Sequence, residues 1–276
     1  MKVVFHEDFR PPYTSDPAAE SGRMEAVERV IRDRVMWVQA IPATEEEIAA
    51  VHTRAQMERV RREGVYDIAA LAAGGAIRTA AIGLTEPCFG LIRPPGHHAS
   101  AASSWGFCYF NNMAVAMEKL YREKKIRTAL ILDFDLHFGD GTVNILEGRG
   151  YVTILNPTAA DRNAYLKEVR HFLFAEKVDI IGVSAGFDHH VEDWGGLLTT
   201  GDYREMGQMV REAAGKNGGG CFGLLEGGYN HRVLGANVMA FLEGMERNHF
   251  LSCSLSFVRF LIASFVCYFF HSSVRA

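Results

Sequence analysis

Short apolar runs alternate along this chain with longer segments in which apolar residues recur at helical spacing. Each run is brief and ends at glycine, proline or charged residues, which predicts a strand. The predicted strands cover residues 2–6, 89–93, 128–132, 178–184 and 221–225. The predicted helices cover residues 20–36, 44–62, 68–82, 111–123, 164–176, 202–215 and 232–245. This alternation predicts an α/β fold in which a parallel sheet has helices on both faces.

Chain length and the C-terminal segment decide the expected domain organisation. With 276 residues, 48% of them hydrophobic, the chain can bury one core, and one domain is predicted over residues 1–246. Residues 247–276 are interpreted as a hydrophobic tail, in which residues 250–270 carry Arg259 as their only charge. A charge in mid-membrane is costly, so a packed or irregular appendage is favoured and a membrane anchor is the alternative.

Composition narrows the expected partners and compartment. The net charge is −4, and lysine and arginine are spread along the chain, so direct nucleic-acid binding is not expected. The five cysteines are odd in number and form no CxxC motif, which argues against a disulfide framework or a cysteine-rich zinc site. The N-terminus lacks the apolar run of a signal peptide. A cytoplasmic protein is predicted, with membrane contact only through residues 250–270.

Ionisable side chains and a tyrosine cluster directly after four of the predicted strands. In an open parallel sheet, sites form beyond the carboxyl ends of the strands, so these positions indicate one shared site. The clustered residues are His97 and His98, then Asp133, Asp135, His137 and Asp140, then Asp188, and finally Tyr229.

The run Asp133-x-Asp135-x-His137 is the most informative of these clusters. In extended chain, residues two apart point the same way, so the three polar groups would share one side. Buried together, they would lose hydration and repel one another unless a cation lay among them. One histidine and two carboxylates with an open position suit zinc, and Asp188 could supply the second carboxylate. The alternative, a capped turn with solvated acids, is opposed by the apolar residues on either side.

The histidine pair and the tyrosine suggest acid–base and hydrogen-bonding roles. His97 and His98 follow a Pro-Pro-Gly turn, and Asp133 and Asp140 are available as partners. An aspartate bound to one ring nitrogen fixes the tautomer and raises the basicity of the other nitrogen. Tyr229 follows two glycines, which allow a tight turn. We interpret its hydroxyl as a donor to developing negative charge, with plain packing as the alternative.

Five segments, in this order, resemble signature motifs of histone deacetylases and the related acetylpolyamine and acetoin-utilisation proteins. They are RPPGHHA at 93–99, GFCYFNN at 106–112, DFDLHFGDGT at 133–142, SAGFD at 184–188 and EGGYN at 226–230. Order and spacing agree with the family over residues 1–246. The resemblance implies an arginase/deacetylase-like fold and one zinc ion held by Asp135, His137 and Asp188. It also implies a potassium ion near Asp133, Asp135 and the carbonyl of His137.

The same resemblance implies hydrolysis of the amide in an acetylated protein or a small acetylated amine. His97 and His98 would be partnered by Asp133 and Asp140 respectively, with His98 as the main general base and acid. Tyr229 would polarise the substrate carbonyl.

The segments that would face the substrate depart from the family pattern. Gly106 and Phe107 would line the channel for the acylated side chain. Residues 155–165, however, lack the usual Pro-Gly-Thr-Gly rim, so the opposite wall has no candidate residue. His189 and His190 have no role in the pattern and are interpreted as a polar rim, with substrate or metal contact as the alternative. These departures predict an open, shallow site.

Two other functions stay open. A ureohydrolase-like enzyme with two manganese ions shares the fold, but it needs further aspartate ligands, and the tandem histidines and Tyr229 suit deacetylation better. A non-catalytic scaffold that binds acyl ligands is opposed by the complete set of catalytic positions. Metal content and acetate release distinguish the three.

Overall fold

The computed structural model of the protein describes residues 1–246, and Met1–Met245 form one compact unit. The predicted tail at 247–276 and the membrane segment at 250–270 lie outside the described residues, so the domain boundary stays a prediction. Within residues 1–246, no helix combines the length and apolarity that a bilayer crossing requires.

A parallel sheet organises the described part of the chain, which confirms the predicted fold class. Its strands are β1 (Lys2–Phe5), β2 (Met36–Gln39), β3 (Cys88–Gly90), β4 (Ala129–Asp133), β5 (Val152–Leu155), β6 (Ile180–Ala185) and β7 (Gly220–Leu225). Their spatial order is β2-β1-β3-β7-β6-β4-β5, and every pairing is parallel. Strands β4, β6 and β7 are buried along their whole length, as expected where both faces of a sheet are covered.

Helices flank this sheet. They are α1 (Arg23–Ile31), α2 (Glu45–Ala49), α3 (Arg54–Arg62), α4 (Tyr66–Gly83), α5 (Asn112–Arg122), α6 (Asp140–Leu146), α7 (Arg162–Ala175), α8 (Thr200–Asn217) and α9 (His231–Met245). Short 3-10 helices cover Glu7–Phe9 and Pro17–Ala19. The alanine-rich helix α4 packs against α5 and β7, because its small side chains allow a close approach.

Two of the predicted helices were wrong in extent. The predicted helix over 44–62 is divided into α2 and α3, because the side chain of Thr53 accepts the backbone N–H of Gln56 at 3.2 Å and caps a new helix. The predicted helix over 20–36 ends at Ile31, and the chain then forms β2. Strands β2 and β5 escaped prediction for different reasons. The apolar run that forms β2 directly continues the segment predicted as a helix over 20–36, whereas β5 is a partly exposed edge strand whose apolar run is interrupted by Thr153.

Candidate metal centre and active site

Four neighbouring strands deliver the candidate residues to one edge of the sheet. Strands β3, β7, β6 and β4 are adjacent in that order, so the segments that follow them meet. Asp133 is the last residue of β4, and its partner in the register of β6 is Ser184, four residues before Asp188. One cavity of about 110 Å³ is bordered by His97, His98, Gly106, Phe107, His137 and Tyr229. The structure therefore brings together the residues that the strand-end pattern singled out.

Asp135, His137 and Asp188 form a compact set of donor atoms. One such atom from each lies within 4.8 Å of the others. His137 Nδ1 is 3.2 Å from Asp135 Oδ1 and 3.2 Å from Asp188 Oδ2. Asp188 is fully buried, yet its Oδ2 accepts no hydrogen bond from the part of the chain that the structure describes. A buried carboxylate oxygen without a donor is costly, and a bound cation would remove that cost.

The electrostatics of this set also favour a cation. Burial, followed by the negative charge of Asp135, raises the pKa of Asp188 to about 7. The hydrogen bond with Asp135, followed by the nearby carboxylate of Asp188, raises the pKa of His137 to about 10. Burial opposes the ionisation of Asp135, but the charge on His97 and hydrogen bonds from His137 outweigh it and lower the pKa. Two buried carboxylates thus compete for the available positive charge, which a divalent ion would supply.

His97 and Asp133 form a fully buried pair. His97 Nδ1 donates to Asp133 Oδ2 at 3.1 Å, and its Nε2 lies 3.8 Å from Asp135 Oδ1. Burial works against a charged imidazole here, but the charges of Asp135 and Asp133 raise the pKa of His97 well above its usual value.

His98 and Asp140 form a second pair nearer to solvent. His98 Nδ1 donates to Asp140 Oδ1 at 2.7 Å, while the side chain of Asp140 is 43% exposed. Trp105 donates its Nε1–H to Asp140 Oδ2 at 2.8 Å and stacks on His98 with ring centroids 3.8 Å apart. Burial, followed by the positive charge of His97, lowers the pKa of His98 to about 4. The two adjacent imidazoles therefore favour opposite protonation states, as an acid–base pair requires.

Tyr229 is held by its backbone and by a stacked tryptophan. Asp193 Oδ2 accepts the N–H of Tyr229 at 2.9 Å, and Trp194 stacks on the tyrosine ring at 4.0 Å. Arg23 donates to the carbonyl of Gly228 at 2.8 Å, next to this turn. Burial, followed by the charges of Asp135 and Asp188, raises the pKa of Tyr229, so its hydroxyl stays protonated and can donate. The sequence gives no sign of the anchoring by Arg23, because some 200 residues separate the partners.

The channel walls combine predicted and unpredicted residues. Phe107 packs edge-on against Tyr229 with ring centroids 6.0 Å apart. Trp194 also borders the cavity and provides a second wall residue, for which the sequence offered no candidate. Gly106 has a φ of +58°, and a Cβ there would lie 2.4 Å from His98 Cδ2, so only glycine fits. Trp105 and Trp194 were missed, although each is an exposed tryptophan beside a motif.

The two extra histidines differ from each other. His190 is buried, and its Nδ1 accepts the N–H of Glu192 at 3.1 Å, so a place on the rim was wrong for this residue. His189 is half-buried and borders a neighbouring groove of about 530 Å³ together with Asp135 and Pro157. Residues 156–160, from the segment that lacks the usual rim motif, line this groove.

Comparison with known proteins places the chain in a family. The sequence model of the histone deacetylase domain matches residues 18–165, more than half of the chain. The chain belongs to the histone deacetylase family. A probable deacetylase of Archaeoglobus fulgidus is 31% identical, over 83% of this chain and 81% of that protein. The histone deacetylase-like amidohydrolase of Pseudomonas aeruginosa is 26% identical, over 76% and 70%. The crystal structure of the HDA15 HD domain superimposes with a TM-score of 0.76 and 25% identity, over 88% of both chains.

Proposed function

We propose that this protein is a zinc-dependent deacetylase that hydrolyses the amide of an acetylated amine. One observation carries the proposal. A single cleft is lined by His137 of the Asp–His–Asp donor set, by the histidines of two His–Asp pairs, and by Tyr229, whose hydroxyl stays protonated. Membership of the histone deacetylase family and the names of the two relatives support the same reaction class.

Asp135, His137 and Asp188 would hold one zinc ion. Two carboxylates and one imidazole leave one coordination position of the ion open, as in catalytic zinc sites. The unpartnered Asp188 Oδ2 would bind the ion and so gain a partner. When bound, zinc supplies Lewis acidity toward the acetyl carbonyl and makes the attacking water more acidic. A potassium ion near Asp133, Asp135 and the His137 carbonyl is a further part of the proposal.

The two histidine–aspartate pairs accept and donate the protons that the hydrolysis requires. Because His98 Nδ1 donates to Asp140, the lone pair of its Nε2 is left to accept a proton from the attacking water. His97 is favoured in its charged form, and its fixed positive charge offsets negative charge that develops nearby. His98, once protonated, or His97 then donates a proton to the departing amine.

Tyr229 stabilises the substrate oxygen. Its hydroxyl, which stays protonated, donates to the acetyl carbonyl as negative charge grows on that oxygen. Phe107 and Trp194 would hold the aliphatic part of the acylated side chain, because both border the cavity above the histidines. The substrate would be an acetylated protein or a small acetylated amine that enters this short, open channel.

Acetate release and metal analysis test the proposal together. The full-length protein, loaded with zinc, is assayed on an acetyl-lysine peptide, N-acetylputrescine and a neutral N-alkyl acetamide. We expect one zinc per chain, acetate release from at least one substrate, and loss of activity on chelation or in His98→Ala. His171→Ala is the matched control, because His171 is an exposed histidine on α7. Two manganese ions per chain, or no acetate from any of the three substrates, would contradict the proposal.

We also propose that residues 1–246 carry the catalytic domain and that the protein is cytoplasmic. A chain of residues 1–246 should then bind zinc and release acetate at the rate of the full-length protein. Fractionation of cells that express each version tests the location. Recovery of the full-length protein with membranes, and of the shorter one in the soluble fraction, would instead support an anchor at 250–270.

A further inference from the structure

Trp105 makes two contacts with the outer histidine–aspartate pair. Its indole stacks on the ring of His98 at 3.8 Å and 29°, and its Nε1–H donates to Asp140 Oδ2 at 2.8 Å. The other carboxylate oxygen, Oδ1, accepts from His98 Nδ1 at 2.7 Å. The three side chains thus close a loop in which every member is held by the other two.

This loop compensates for the exposure of Asp140. Asp133, the partner of His97, is buried and fixed by its surroundings, whereas the side chain of Asp140 is 43% exposed. A half-exposed carboxylate can rotate and exchange its partners for water. An indole N–H that binds one oxygen leaves the other aimed at the imidazole, which is how outer partners orient catalytic groups.

The local backbone is shaped to place the indole there. Gly106 and Phe107, which follow Trp105, have φ values of +58° and +67°. A left-handed phenylalanine is unusual and costs conformational energy, so this turn persists only because its surroundings impose it. The turn sends Trp105 over His98 and Phe107 to the wall of the cavity. Trp105 is still 55% exposed, so burial of apolar surface alone does not account for its position.

We infer that Trp105 is a positioning residue that acts through Asp140 to fix the orientation of His98. The inference rests on the proposed function, since it gives His98 the role of general base. Loss of the indole N–H would leave the substrate contacts in place but let the imidazole reorient. The defect should therefore lie in kcat rather than in KM.

Trp105→Phe, which keeps a stacked ring and removes the N–H, tests this directly. We expect kcat to fall about fivefold to tenfold, with KM within about twofold of the original value, since a hydrogen bond to a part-exposed charge is of this strength. Trp37→Phe is the matched control, because Trp37 is a half-exposed tryptophan on β2 that donates its N–H to the Arg32 carbonyl. An unchanged kcat, or a rise in KM alone, would overturn the inference.

A double-mutant cycle with Asp140→Asn shows whether the effect passes through the aspartate. We expect Trp105→Phe to lose most of its effect on kcat once Asp140 is changed. Equal losses in both backgrounds would mean that Trp105 acts by another route.

Ring-15N histidine spectra give a readout independent of turnover. In the zinc-loaded protein, the Nδ1–H of His98 should exchange slowly with water, and faster in Trp105→Phe. If the unmodified protein releases no acetate, the proposed function fails, while these spectra still decide the role of Trp105. Identical exchange in the two proteins would contradict it.

Discussion

The floor of the site and its mouth are built differently. The floor, which we define as His97, Asp133, Asp135, Asp188 and Glu226, is at most 7% exposed; Asp133 ends β4, and the other four follow the carboxyl ends of β3, β4, β6 and β7. The mouth, which we define as Trp105, Phe107, Trp194 and Tyr229, stands on the segments after β3, β6 and β7. Its two tryptophans are more than half exposed. The buried floor is held close to the sheet, whereas the residues that we propose contact the substrate lie on loops, which tolerate change.

If this division holds, changes in the floor should abolish metal binding, proton chemistry or stability. Changes at Phe107 and Trp194 in the mouth should act on substrate binding. Tyr229 and Trp105 are exceptions, because the Tyr229 hydroxyl reaches into the chemistry and Trp105 contacts the His98–Asp140 pair. The following substitutions run from the largest expected effect to the smallest.

Asp188→Asn should remove the metal and the activity together. We expect zinc content to fall well below one per chain and hydrolysis to fall by about a thousandfold or more, because Lewis-acid stabilisation is worth several kcal/mol. With chelator present, the unfolding temperature of the variant should rise, since a buried carboxylate beside Asp135 no longer has to be accommodated. Asp67→Asn, an exposed aspartate on α4, is the control. Full zinc content in the variant would contradict the assignment of Asp188.

Tyr229→Phe should reduce kcat by about a hundredfold or more, the usual cost of one lost donor to a developing oxyanion. The ring would still stack on Trp194, so fold and KM should change little. Tyr121→Phe is a close control. Tyr121 lies outside the site, and its ring stacks on that of Tyr151 with the same centroid distance of 4.0 Å. Near-normal turnover would remove Tyr229 from the mechanism.

Glu226→Gln should change the pH dependence of stability. Glu226 Oε2 accepts the N–H groups of Gly96 and His97, Oε1 is among the buried unpartnered atoms of the described chain, and burial raises the pKa to about 7. Because the pKa is raised, the stabilisation is complete below the ordinary value of 4.5 and is lost as pH rises through about 7. Denaturant titrations of the metal-free protein should show wild type losing roughly 3 kcal/mol more than the variant across this window. Parallel pH profiles would show that the carboxyl does not titrate in this range.

Trp194→Ala should raise KM about threefold to tenfold and leave kcat within about threefold, as expected for loss of one aromatic wall. Asp193 would still hold the backbone of Tyr229 at 2.9 Å, so the hydroxyl should keep its place. Trp37→Phe again serves as the control. A drop in kcat larger than the rise in KM would show that Trp194 also takes part in the chemistry and would break the division between floor and mouth.

The floor residues other than Glu226 could be predicted from the sequence, and the mouth only in part. Asp133, Asp135 and His137 follow a buried strand at alternating positions, and elementary electrostatics then demands a cation. Trp194 could not be assigned, because its use depends on how the segment after Asp188 turns, and tertiary contacts such as that of Asp193 with Tyr229 decide this. Edge strand β2 was hidden for a similar reason, since its pairing with β1 rather than its own pattern makes it a strand.

The order of strands in the sheet affects how the chain folds during synthesis. Strand β7, the last along the described chain, lies between β3 and β6 and is the direct link between two three-stranded halves of the sheet. While the protein is being synthesised, the two halves therefore cannot pair into one sheet until residues 220–225 have been made. A nascent chain that ends before Gly220 should remain sensitive to protease along β3 and β6, and protection should arrive in one step once β7 has emerged.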